Sequence, residues 1–89
     1  MDLDAFGRLM GVAPELVEFG DRGTRYWRCT FPGVVFRMSG VNIGPLVGTG
    51  PTRQRARSCL VVRMVGRTAV IRAGLAGERE FPVPAVLRA

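Results

Sequence analysis

The stretch Thr52 to Val65, "TRQRARSCLVVRMV", decides what this chain can fold into, because it reads in two incompatible periods. As a helix, Thr52 caps the N-terminus and Ala56, Leu60 and Met64 recur four residues apart. Cys59 and Val61 widen that stripe, and Gly66 stands where the helix must stop. As a strand, Leu60 to Val65 pairs through a Gly66-Arg67 turn with "TAVIRA", and Val61, Val62 and Val65 favour this on propensity. Both periods stay open over residues 58–65; the helix is the reading carried forward.

The rest of the chain falls into short segments. Leu3, Phe6, Leu9 and Met10 sit at helical spacing, with Asp2 or Asp4 as cap and Gly11 as terminator, which predicts a short N-terminal helix. "ELVEFGDRGTRYWRCTF" reads as two strands around Gly20-Asp21-Arg22-Gly23, with Trp27, Cys29 and Phe31 facing the core. After Pro32-Gly33, "VVFRMSGVNI" returns as a third antiparallel strand with Val34, Phe36 and Met38 inward. Its outer face then joins Arg37 to Tyr26 and Arg28. Gly40 to Gly50 is a Gly-rich extended approach, and "TAVIRAG" and "EREFPVP" form two last strands, with Glu78 and Glu80 opposite Arg72. The predicted fold is α+β: a short N-terminal helix and an antiparallel sheet of four to five strands, with one helix at about 52–65 packed on one face. Residues 1–89 form a single small domain.

Composition bounds the function. At 47% hydrophobic residues, with Gly and Pro spread through the chain, it is neither disordered nor a coiled coil. No apolar run is long enough to span a membrane. The N-terminal "MDLDAFGRLMG" is acidic where a secretory signal is basic, so the expected compartment is the cytoplasm. The two cysteines, Cys29 and Cys59, lack CxxC spacing and His is absent, so neither a zinc site nor any other cofactor is expected. Whether the two thiols pair is left open.

The charge of +6 comes entirely from Arg, since the chain has no Lys. It predicts an anionic partner: an acidic protein surface, a protein–nucleic-acid complex, or nucleic acid directly. No Walker pattern occurs in "GPLVGTGPT", and no Ser or Cys has a base nearby in sequence, so an enzyme is not expected. The signal that stands out is Arg53, Arg55 and Arg57 at the start of the predicted helix, where positive charge opposes the helix dipole at a cost of a few tenths of a kcal/mol each. With Tyr26, Arg28 and Arg37 they are the candidate partner-binding residues.

Gly50, Thr52, Ala56, Leu60, Met64, Gly66, Arg67 and Val70 follow an order that resembles the second half of small temperate-phage proteins and of partial HicB-like antitoxin domains. The resemblance spans residues 44–84. It departs from the pattern at Arg53, Arg55 and Arg57, where such helices carry acids. It implies a phage or mobile-element accessory protein that acts by stoichiometric contact with a larger partner, for example an anti-CRISPR-like inhibitor of a host defence complex. The alternatives are a small basic nucleic-acid-binding module and a minor structural component of a phage particle.

Overall fold

The computed structural model of the protein describes residues 1–89. Its elements are α1 (Leu3–Met10), β1 (Glu15–Asp21), β2 (Thr24–Thr30), β3 (Val34–Met38), β4 (Val41–Gly44), β5 (Val47–Gly50), α2 (Arg53–Met64), β6 (Thr68–Ile71) and β7 (Arg79–Pro82). They build an α+β fold with two antiparallel sheets, one ordered β1-β2-β5 and the other β4-β3-β6-β7.

Both helices begin and end where local chemistry dictates. The Asp2 carboxylate accepts from the Ala5 amide at 2.8 Å, and Gly11 takes φ 77°. The Gly11 and Val12 amides donate to the Arg8 and Gly7 carbonyls, a Schellman termination. The Thr52 hydroxyl likewise accepts from Arg55 N at 3.1 Å to start α2. At the far end Val65 (φ −57°, ψ 135°) and Gly66 (φ 85°) form a type II turn, closed by Arg67 N donating to the Met64 carbonyl at 3.1 Å. Residues 53–64 are therefore helical, and Ala56, Leu60 and Met64 are fully buried as one stripe.

The strands depart from a single sheet. Ser39 and Gly40 both have positive φ, 51° and 77°, which makes a two-residue type I′ hairpin and splits "VVFRMSGVNI" into β3 and β4. The Gly-rich approach, Gly40 to Gly50, contains two strands, β4 and β5. The second neighbour of β2 is β5, and β3 belongs to the other sheet. The β3–β4 hairpin is thus an excursion between β2 and β5. The Thr30 hydroxyl donates to the Leu46 carbonyl at 2.9 Å and ties its departure to its return.

One cluster of 15 buried side chains joins all the layers: Leu3, Phe6 and Met10 of α1, Cys29 of β2, Val34 and Phe36 of β3, and the α2 stripe among them. Phe6 meets Phe31 edge to face at 6.4 Å. Met38, expected in the core, is half exposed because it flanks the Ser39-Gly40 turn, beyond the reach of the helices. Trp27 is only half-buried, and packs against the edge of the core. Residues 18–26 are all exposed, so the β1–β2 hairpin runs past the core in a particle of 44 × 25 × 23 Å.

The seat of α2 explains "VGTG". Gly48 and Gly50 face the helix, and a Cβ on Gly48 would stand 2.3 Å from the Ala56 carbonyl oxygen and the Leu60 nitrogen. Only glycine permits so close an approach between strand and helix.

Candidate functional site

The six residues singled out from the sequence do not share a surface, and half of them are used within the fold. Arg57 holds both oxygens of Asp4, at 2.8 and 3.3 Å, and so fastens α2 to α1. Its side chain is only 15% exposed. Arg53 lies over the Trp27 ring at 4.4 Å, a cation–π contact that holds the guanidinium at the N-terminal turn of α2. Arg37, on the second sheet, binds Glu78 at 3.1 Å, Glu80, and the Asn42 side chain at 2.7 Å. The joint face of Tyr26, Arg28 and Arg37 therefore does not form, because β2 and β3 lie in different sheets.

Arg37 also corrects the expected pairing of Glu78 and Glu80 with Arg72. Arg72 takes φ 56° at the end of β6 and donates Nε to the Ala76 carbonyl at 2.8 Å, which closes its own loop. Arg37 instead spans β6 from β3 to β7, across the row that holds the fully buried Val70. Hydrogen bonds from Gly74 N and from Arg37 hold the Glu78 carboxyl below the usual carboxylate range.

The register of the first sheet separates its two faces. Phe19 and Tyr26 are paired directly across β1 and β2, with Val17 and Arg28 as the next pair and Thr49 of β5 beside Arg28. Away from the helix, the Phe19 and Tyr26 rings stack at 6.0 Å and 26°, with 44% and 41% exposure. Arg28 is exposed next to them. Phe19 was not singled out from the sequence, although its place in "ELVEFGD" sets it on the face opposite Leu16, which packs against the core.

The helix-side face carries a different chemistry. Arg25 pairs with Glu18 at 2.8 Å on the projecting hairpin; next comes Arg53 over Trp27, then Arg57 with Asp4, and Arg8 one helical turn beyond Asp4. The first turn of α2 contains no acid, and Arg55 on that turn makes no side-chain bond. Of the thirteen arginines in the chain, Arg25, Arg37 and Arg57 account for all four ion pairs, and the other ten have no carboxylate partner.

No group of three or more His, Cys, Asp or Glu side chains is placed to hold a metal. Both cysteines are free thiols: Cys29 is buried, and desolvation pushes its thiol pKa up. No helix is long and apolar enough to cross a membrane. Comparison of the chain with protein-family models, curated proteins and solved structures finds no match.

Proposed function

We infer that the protein is a non-enzymatic binding module whose anionic partner is a nucleic-acid backbone, alone or within a protein–nucleic-acid complex. The observation that carries this reading is the start of α2. Its positive dipole end has no acid in the first turn, Arg53 is held there by Trp27, and Arg55 is unpaired. The two guanidinium groups flank the helix N-terminus, Arg53 on the Trp27 side and Arg55 on the β5-edge side, a combination that suits successive phosphates, and no protein carboxylate neutralises either. A cytoplasmic location, in a host cell if the chain is phage-encoded, is part of this proposal.

A salt series tests this. Binding of a short duplex and of a single strand should weaken linearly in log K against log salt, with a slope near −0.9 per phosphate neutralised on the duplex. Arg53→Ala and Arg55→Ala should each lower the slope magnitude by about 1. Absence of binding to either oligonucleotide at low salt would overturn the reading.

A second reading rests on the Phe19–Tyr26 pair with Arg28: exposed aromatics beside a free guanidinium are typical of protein hot spots. On this reading the protein is a stoichiometric inhibitor of phage or mobile-element type, directed at a host defence complex. It requires a host protein that is captured by the intact chain and released by Phe19→Ser with Tyr26→Ser, but retained by Arg53→Ala.

A further inference from the structure

We propose that the groove between the open edge of β5 and the outer side of α2 is a docking site for an extended acidic peptide, which adds to β5 as a fourth strand of the first sheet. The groove shares Arg55 with the nucleic-acid reading, but Arg63, Val62 and the β5 edge play no part in that reading and Arg53 plays none in the groove, so the two fail separately. The groove, about 480 Å³, is lined by Thr49, Gly50, Pro51 and the α2 side chains Arg55, Ser58, Cys59, Val62 and Arg63. β5 is an edge strand paired only with β2, and none of the backbone hydrogen bonds made outside helices and strands involves residues 47–50. The outward amides and carbonyls of β5 therefore lack a backbone partner, the arrangement that strand addition uses.

Charge selects the occupant. Arg55 and Arg63 stand at the two ends of the groove wall with no carboxylate partner, and no acid lines the groove. Val62 is 76% exposed between them. A second copy offering its own β5 would set its Arg55 and Arg63 against these, so a like chain is disfavoured.

Geometry sets the peptide pattern. Gly50 meets Arg55 and Ala56 while Gly48 meets Ala56 and Leu60, so α2 runs antiparallel to β5. Eight helical residues from Arg55 to Arg63 rise about 12 Å. An extended chain covers about 13 Å in four residues, with alternate side chains on one face. The matching ligand has acids at its first and fifth positions and an apolar residue at the third, over Val62 and Cys59.

The test uses a fluorescein-labelled peptide containing Glu-Thr-Val-Thr-Glu and the full-length protein, read by anisotropy. The peptide should bind at least tenfold more tightly than its Gln-Thr-Val-Thr-Gln counterpart. Arg63→Ala and Val62→Glu should each weaken it about tenfold, and Arg53→Ala should leave it unchanged. N-methylation of alternate peptide amides should abolish binding in one of the two phases. Bound peptide should also slow modification of Cys59, a readout that needs no variant. Equal affinity for the acidic and neutral peptides, indifference to Arg63→Ala and Val62→Glu, or a chain dimer that excludes the peptide would each overturn the proposal.

Discussion

Gly48 lies so close beneath Ala56 that a methyl group on it would stand 2.3 Å from the Ala56 carbonyl oxygen. The contact is backbone on both sides, so neither strand nor helix can yield by rotating a side chain. Gly48→Ala should therefore cost more than about 2 kcal/mol, as overpacking without relief does. Thr49→Ala, one residue on and facing away from the helix, should change stability by no more than about 0.5 kcal/mol. Urea unfolding of the two variants checks this.

The charge at the start of α2 divides into a fastening and a free part, and stability separates them. Arg57 is largely enclosed while Asp4 is half exposed, so solvent weakens their attraction. Their coupling in a double-mutant cycle should be about 0.5–1 kcal/mol. Arg57→Ala should cost more than this because its largely enclosed side chain also loses burial, and Arg55→Ala should be near neutral. Replacing Arg53, Arg55 and Arg57 together would thus mix a loss of fold stability with any loss of binding.

Acid should destabilise the protein through two identified carboxyls. The Ala5 amide holds Asp2 down, and Gly74 N with Arg37 holds Glu78 down, so each is more acidic folded than unfolded. The unfolded chain then binds more protons in acid. The contribution of each group is complete above the unfolded value near 4, and is lost as pH falls through the lower folded value. Asp2→Asn and Glu78→Gln keep an acceptor in place and should flatten the acid limb of stability against pH. Urea midpoints between about pH 5 and pH 2 measure the effect.

The two thiols should react at different rates. Cys29 is fully buried and its thiol pKa is raised by desolvation, whereas Cys59 is half-buried on the groove side of α2. An aromatic disulfide reagent should modify one thiol of the native protein promptly, and the second only after unfolding. Two equivalents released at one rate from the native protein would contradict the burial of Cys29.

Helix ends and hairpin turns were legible along the chain because their causes are local. Asp2 and Thr52 as caps, Gly11 as terminator and the Ala56-Leu60-Met64 stripe need only neighbours within four residues. Arg22-Gly23 likewise closes the β1–β2 hairpin with positive φ at both positions. Ser39-Gly40 carries the same kind of signal: apolar residues fall at Val34, Phe36 and Met38 and then at Val41 and Ile43, so the alternation slips by one residue at the turn, although the apolar content of the segment reads as a single strand.

Which strands pair was decided only in three dimensions. Nothing near Phe31 in sequence states that β2 will take β5 as its neighbour, or that β3 will leave to pair with β6 beyond α2. That choice goes with where α2 settles, over β5 and β2, and Gly48 and Gly50 permit its close approach to β5. The roles of the arginines followed from the same event. Sequence determined that this is a basic α+β chain with a Thr52-capped helix start, and left residues 58–65 open between helix and strand; packing of Leu60, Val61 and Met64 into the core settled them as helix. Tertiary structure decided that Arg57 and Arg37 are spent on Asp4, Glu78 and Glu80, while Arg28, Arg55 and Arg63 remain without a carboxylate partner, because ion pairs form between groups that only folding brings together.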